Sequence, residues 1–402
     1  ARRSQRFNIT SNNMANKFCR QLSNGFKINV QEDKLLWSPC CFYTKKTDMS
    51  NTTEYLKARE YANSATGWLP ECDSCRIMEE SGVELLTPRL NANHMITEDS
   101  VDGDCVNLEI SFDTKCNAAC LSCGSYCSTT WAKFDKKHGL NQHISPKIVK
   151  LDNPFHRKIA EAQYKVTLDV EDSDLSDILF KQLIKTVPLD KLQTIFIMGG
   201  EPFYTKSHVK MLKHLKEVHP NLKNVSIRYQ SNGSIYPSDE VLELWKDYKY
   251  IVYGASLDGV GERFNYLRWP LKWHRSEKVI KRLINETNVS LHVNCTISPL
   301  NVLYVDELEN WLIDNVDKSR FSSQRQMVRP NACLGDLDLR FASVKLREKV
   351  YLKYGEDHNI SKLLQSLELY DDASKMFNYI EHMDKLRRLD WRKTFPDVGD
   401  CY

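Results

Sequence analysis

Thirteen cysteines fall unevenly along the 402 residues. Ten lie in the first third, at 19, 40, 41, 72, 75, 105, 116, 120, 123 and 127. Three of them, Cys116, Cys120 and Cys123, share one short stretch, CNAACLSC. Three thiolates on one loop bind soft metals well. Structural zinc commonly takes four protein ligands in spaced pairs. A C-x3-C-x2-C run offers three close ligands, which suits a four-iron cluster with one iron left open. Zinc, or thiols without metal, remain alternatives on spacing alone. A second set is spread out: Cys19, the pair Cys40-Cys41, and Cys72 with Cys75 in ECDSC. Two such knuckles suit a fully ligated cluster or a four-thiolate zinc site. Cys295, alone in the apolar SLHVNCTI, reads as a core thiol on a strand.

The surrounding elements must position these groups. VNLEISF (106–112) reads as a strand running straight into the cysteine loop. TIFIMGG (194–200), VSIRYQS, IVYGASLDG and SLHVNCTIS read as further strands, with FSSQRQMV a weaker last one. Helical patterns separate them: DLSDILFKQLIKTV, VKMLKHLKEV, DEVLELWKDY, HRSEKVIKRLINE and VDELENWLIDNV. Serial β-α units predict a parallel sheet, open or curled toward a barrel. A polar insertion lies near 136–170. Upstream, GFKINV and KLLWSPC predict two short strands with a polar turn at QEDK, and TTEYLKAREYAN a helix. That segment reads as a small domain with little core of its own, which bound metal would stabilise. Residues 341–390 read as mostly helical.

Four strand ends carry polar groups. Gly199, Gly200, Glu201 and Pro202 end one strand. Ser231 and Asn232 end the next, Ser256 and Asp258 the third, and Asn294 and Thr296 the fourth. Asn294 and Thr296 share a face by parity. Ser231, Asn232 and Asp258 would also serve as ordinary turn formers. Arg268, in FNYLRWP, could clamp a carboxylate or phosphate, or sit on the surface. Glu262 and Arg263 lie in the same segment.

The run CNAACLSCG after a strand resembles the signature of radical S-adenosylmethionine (SAM) enzymes. The resemblance implies that Cys116, Cys120 and Cys123 hold a [4Fe-4S] cluster with SAM on the open iron. It implies reductive cleavage of SAM to a 5′-deoxyadenosyl radical that abstracts a substrate hydrogen. The family prefers an aromatic residue before the third cysteine, where this chain has Ser122. Gly199-Gly200-Glu201-Pro202 resembles the family's GGEP motif, which receives the methionine amino group. In relatives the strand ends matching Ser231 and Asn232 meet the ribose or the methionine carboxylate. By the same resemblance Ser256 faces cofactor, Asp258 faces substrate or ribose, and Asn294 and Thr296 line the cofactor site. Cys19, Cys40 or Cys41, Cys72 and Cys75 resemble an auxiliary-cluster twitch domain, a shortened relative of SPASM, placed here before the barrel. Some family members share this order and a tail like Trp391, Arg392, Thr394, Phe395 and Pro396.

The implied architecture is α/β: a partial (β/α)6 TIM-type barrel with a small N-terminal iron–sulfur domain and a C-terminal helical tail. The implied boundaries are a frayed 1–18, an auxiliary-cluster domain at 19–100, a barrel at 105–335 and a helical extension at 336–402. The implied activity is a radical SAM oxidoreductase with an auxiliary [4Fe-4S] cluster (zinc as alternative). It would modify a peptide side chain or oxidise a small molecule. A nucleotide or sugar substrate is the rival, and a zinc-stapled non-catalytic scaffold the competing class. A reductase or a flavodoxin- or ferredoxin-type donor would supply the electron. A lone cysteine such as Cys333 quenches a substrate radical in some relatives. The sequence assigns no role to Cys105 or Cys127.

Composition agrees with a globular protein. Apolar residues are 41 % and charged residues 27 %, which excludes wholesale disorder. A net charge of +3 predicts no dedicated nucleic-acid binder. No apolar stretch reaches the ~20 residues of a spanning helix. ARRSQRFNIT lacks the apolar region of a secretory signal. A cytoplasmic location is expected, where thiols stay reduced.

Overall fold

The computed structural model describes residues 19–31, 34–40, 43, 45–50, 53–64, 67–80, 89–90, 93, 104–140, 176–323, 327–333 and 335–402. Cys41, residues 1–18 and most of the insertion near 136–170 lie outside the described residues.

Nine strands form one sheet in the order β3-β2-β1-β4-β5-β6-β7-β8-β9. The six barrel strands are β4 (Asn107–Ser111), β5 (Thr194–Met198), β6 (Ser226–Ser231), β7 (Tyr250–Ser256), β8 (Ser290–Ile297) and β9 (Val328–Ala332). Each pairs with the next in parallel. Helices Asp177–Thr186, Ser207–Val218, Asp239–Trp245, Trp273–Glu286 and Val305–Asn315 lie between them in sequence. This is a partial (β/α)6 barrel.

Alternation explains the strands. In β8 every second residue is buried, from Leu291 through Val293 and Cys295 to Ile297. The same pattern buries Leu108 and Ile110, Ile195 and Ile197, and Ile227 and Tyr229. That face is the packed one, and burying each such side chain contributes roughly 1.5–3 kcal/mol. The opposite face is half-buried and largely polar, and it forms the inside of the partial barrel.

Two findings differ from the sequence reading. The last strand is Val328–Ala332, which shares only Val328 with the expected FSSQRQMV; residues 324–326 of that stretch lie outside the described residues. Pro330 makes the observed strand look like a turn, yet an edge strand tolerates proline because its free side needs no N–H donor. Upstream, the amino-terminal strands do not stand apart from the barrel. β1 (Gly25–Gln31) pairs in parallel with β4, Phe26 opposite Leu108 and Ile28 opposite Ile110. β2 (Lys34–Ser38) and β3 (Thr47–Asp48) then extend the sheet antiparallel. Phe26, Trp37 and Tyr55 pack edge-on or tilted at 4.9–6.4 Å, tying helix Thr53–Ser64 to this edge. Phe26 and Ile28 share one continuous core with Leu108 and Ile110.

The C-terminal region is helical, with Val344–Tyr354, Asn359–Gln365 and Ser374–Arg387 followed by two short turns of helix. No helix among the described residues is long and apolar enough to cross a membrane.

Candidate active site

β4 ends at Ser111, and the chain enters the loop carrying Cys116, Cys120 and Cys123. The loop returns into helix Thr129–His138, whose N-cap Ser128 accepts from the Trp131 amide at 3.1 Å. Its backbone is held from three sides. Trp131 Nε1 donates to the Cys120 carbonyl at 2.7 Å, and Thr130 Oγ1 to that of Cys116 at 2.6 Å. The amides of Ala119 and Leu121 donate to the carbonyls of Trp269 and Leu267, both at 2.7 Å. From the C-terminal helix, Arg387 Nη2 reaches the Ala119 carbonyl at 2.9 Å and Tyr379 Oη that of Leu121 at 2.9 Å. Few loop groups are left to rearrange, so the thiols are pre-positioned.

The GGEP turn lies along the start of this loop. The amide of Gly200 donates to the Asp113 carbonyl at 3.1 Å, and that of Glu201 to Lys115 at 2.7 Å. A Cβ on Gly200 would come within 2.2 Å of the Lys115 carbonyl oxygen. One on Gly199, at φ +143°, would meet Asp113 O at 2.7 Å. The glycines are therefore required by close backbone packing against residues 113–115. Pro202 follows, buried, at the start of a 3-10 turn.

Glu201 is 1 % exposed. Its carboxylate accepts from the Asn232 amide at 2.6 Å, Ser231 Oγ at 2.8 Å and the Phe203 amide at 3.3 Å. Burial outweighs these bonds and pushes its pKa up to about 7. Ser231 also meets Tyr253 Oη at 2.8 Å. Asn232 Nδ2 donates to Asn117 Oδ1 at 2.8 Å and lies 3.8 Å from Cys116 Sγ. The ends of β5 and β6 are thus fastened to each other and to the cysteine loop.

Asp258 and Arg268 are brought together. Arg268 Nη2 donates to Asp258 Oδ1 at 2.9 Å, and Nε lies 2.7 Å from Oδ2. Arg268 Nη1 lies 3.7 Å from Cys120 Sγ. The Thr296 amide donates to Asp258 Oδ1 at 2.7 Å. Both partners are buried, so Arg268 serves an internal carboxylate and a thiol. Ser256 and Asn294 are joined through Gln230, which donates to Ser256 Oγ at 2.5 Å and accepts from Asn294 Nδ2 at 2.6 Å. Sequence reasoning missed Gln230, although the parity argument that picked out Asn294 applies equally to it. It also missed Arg387 and Tyr379, whose role depends on contacts across more than 250 residues.

The three loop thiols carry raised pKa values. Burial pushes Cys116 up to about 12, and the Cys120 charge adds to this. Burial pushes Cys120 up to about 11 against the opposing pull of Arg268. Cys123 is raised first by its thiol bond to Cys127 and then by burial, while the same bond lowers Cys127. Such thiols stay protonated alone, and a coordinating metal deprotonates them. The donor set fits soft-metal chemistry on that ground. Among the described residues, no three His, Cys, Asp or Glu side chains converge as the ligands of one metal ion do. Thiolates on separate irons of one cluster need not so converge.

Cys19, Cys40, Cys72 and Cys75 line one narrow cavity, together with Tyr61, Trp68 and Arg89. Burial pushes Cys19 up to about 11. It raises Cys72 further still, helped by the Cys19 and Cys75 charges, and it raises Cys75 too. Arg89 is held by Glu79 through bonds of 2.9 and 2.6 Å. Cys105 and Cys333 are buried, and Cys295 lies on the packed face of β8.

A partial (β/α)6 barrel with a three-thiol loop after its first strand defines the class. Residues 110–308 match the model described as the Radical SAM superfamily, so this part of the chain is a radical SAM domain. Such a domain implies a cysteine-bound [4Fe-4S] and SAM site in general. No curated protein matches the chain. Native anSMEcpe with bound AdoMet is 17 % identical over 61 % of this chain and 58 % of its own, with a TM-score of 0.39. SuiB of Streptococcus suis is 14 % identical over 73 % and 59 %, with a TM-score of 0.32. SuiB bound to precursor peptide SuiA is 14 % identical over 95 % and 75 %, with a TM-score of 0.35. The chain thus spans under three fifths of anSMEcpe.

Proposed function

We propose that the chain is a radical SAM enzyme that modifies a peptide or protein side chain with the help of an auxiliary cluster. Cys116, Cys120 and Cys123 would hold the first [4Fe-4S] cluster. Cys19, Cys40, Cys72 and Cys75 would hold the second, with zinc as the alternative occupant. When bound, the first cluster and SAM supply a 5′-deoxyadenosyl radical that abstracts hydrogen from substrate. A reductase, or a ferredoxin- or flavodoxin-type protein, donates the electron.

The observation that carries this reading is the Gly199–Glu201 turn hydrogen-bonded to the backbone leading into the three-thiol loop. It puts a buried carboxylate beside the thiols, suited to an ammonium group. Ser231 and Asn232 orient that carboxylate. Gln230 orients Ser256 and Asn294 on the inner face, where they would meet cofactor, with Thr296 beyond them. Asp258 holds Arg268 against Cys120 and excludes water from that thiol. The chain's own work is to bind, aim and shield a reactive group.

The test is anaerobic reconstitution with iron and sulfide, then SAM and dithionite. The expected result is a brown protein that releases 5′-deoxyadenosine. Joint substitution of Cys116, Cys120 and Cys123 by Ala abolishes release. Unchanged release in that variant, or stoichiometric zinc with no iron in the native chain, would overturn the reading. C72A/C75A is expected to halve bound iron and spare the first cluster.

A further inference from the structure

The inner face of the sheet carries charges that the SAM site does not use. Register places Lys27, Glu109, Phe196 and Arg228 in one row across β1, β4, β5 and β6. Lys27 Nζ reaches Glu109 Oε2 at 3.4 Å and Met198 Sδ at 3.2 Å, so the row's one carboxylate already has a cation. Arg228 lies over the Phe196 ring at 5.7 Å. From the far edge, Arg329 sits opposite Asn294 in the β8–β9 register. Among the described residues, neither guanidinium has a hydrogen bond or an ion pair. The two cations oppose each other: burial, then Arg329, weakens the hold of Arg228 on its proton.

Between them stands a belt of neutral groups that is already satisfied. Gln230 donates to Ser256, and Asn294 donates to Gln230. The Asn294 oxygen therefore faces His292 Nε2 as an acceptor, at 3.2 Å. That fixes the proton on Nε2 and leaves Nδ1 to accept from Ser322 Oγ at 3.4 Å. Burial first, then Arg228 and Arg329, hold His292 down at about 4, so the imidazole is neutral near pH 7. The belt cannot neutralise the guanidinium groups. Arg228 lies three residues before Ser231, about 10 Å along the strand at ~3.3 Å per residue. It is deeper in the barrel than the strand ends that face SAM.

We propose that Arg228 and Arg329 bind an oxyanion carried by the substrate, a carboxylate or a phosphate, on the inner face of the partial barrel. One half-buried guanidinium, Arg228, and one exposed one, Arg329, neither in an ion pair among the described residues, are suited to such a group and to no cation. An anion there would anchor the substrate below the strand ends, with its reacting carbon toward the cysteine loop. This inference rests on the reading of the loop as the SAM site.

The experiment is calorimetric titration of the full, cluster-loaded chain at low salt. One arm uses sodium pyrophosphate, and the other a hexaglutamate peptide with hexaglutamine as control. At least one anion is expected to bind saturably, and R228Q and R329Q each to weaken it tenfold or more. Tighter pyrophosphate assigns the site to a phosphate, and tighter hexaglutamate to a carboxylate. Three results would overturn the proposal: no saturable binding in either arm, binding unchanged in both variants, or complete displacement by SAM. The last would place the anion in the methionine subsite. Circular dichroism and thermal melts of both variants establish that they are folded. A native chain that releases 5′-deoxyadenosine but binds neither anion sinks this inference alone. One that binds an anion but cleaves no SAM sinks the function above alone.

Discussion

Arg268 stands between a carboxylate and a thiol, and each contact has a separate consequence. Its pair with Asp258 is close and buried, with one hydrogen bond from Nη2 to Oδ1. Removing one partner of such a pair strands the other charge, at a cost of about 3–5 kcal/mol. R268M should therefore lower unfolding stability by that order, and D258N/R268M should recover much of the loss. Equal stability of the single and double variants in chemical denaturation would show that the pair is not coupled. The second contact, 3.7 Å from Cys120 Sγ, places a positive charge beside a thiol proposed as a ligand of the first cluster. Positive charge favours the more negative, reduced state. The double variant removes both charges, but Arg268 acts on Cys120 more strongly than Asp258 does, so it should show a more negative midpoint potential for the proposed first cluster by redox titration. An unchanged potential would leave Arg268 a purely structural role. The residue types at this site were readable from sequence, but their partners were not. Asp258 and Arg268 look like two independent substrate contacts in the chain, and only the fold shows that they satisfy each other.

At the scale of elements, legibility follows the range of the interaction. The strands announced themselves because alternation is local, and β4 to β8 fall where the apolar spacing put them. β9 did not, because Pro330 masks an edge strand. The pairing of β1 with β4 left no local trace, since alternation shows which face is buried and never which neighbour is adjacent. The C-terminal helix was legible as a helix and illegible as a brace. Ser374–Arg387 sends Arg387 and Tyr379 to the carbonyls of Ala119 and Leu121. Arg387 also lies over Trp131 and Trp269 at 5.0 Å and Phe134 at 5.4 Å. Desolvated cation–π contacts contribute up to about 2 kcal/mol. R387M should lower stability by about 2 kcal/mol and speed amide exchange across residues 116–123. Exchange there that matches the native chain would mean that the helix does not brace the loop.

Two buried groups set opposite pH responses for the whole molecule. Glu201 is raised to about 7 from an ordinary value near 4.5, chiefly by burial. His208, packed against Phe203 and Tyr229, is lowered to about 4 from 6.5, also by burial. Its nearest charge influence is Glu240. The folded chain binds more protons than the unfolded one at Glu201 between about 4.5 and 7, so that group gains stability as pH falls. At His208 the folded chain binds fewer between about 4 and 6.5, so stability from that group is lost as pH falls. The two responses therefore oppose each other as pH falls from 7 to 5. H208L removes one side of the balance. Its melting temperature relative to the native chain should rise as pH is lowered from 7 to 5, and E201Q should show the opposite trend. SAM, whose ammonium would pair with Glu201, should abolish the Glu201 response in the cluster-loaded chain. A pH profile of H208L parallel to that of the native chain would show that His208 does not titrate in this range, and a parallel profile of E201Q would show the same for Glu201.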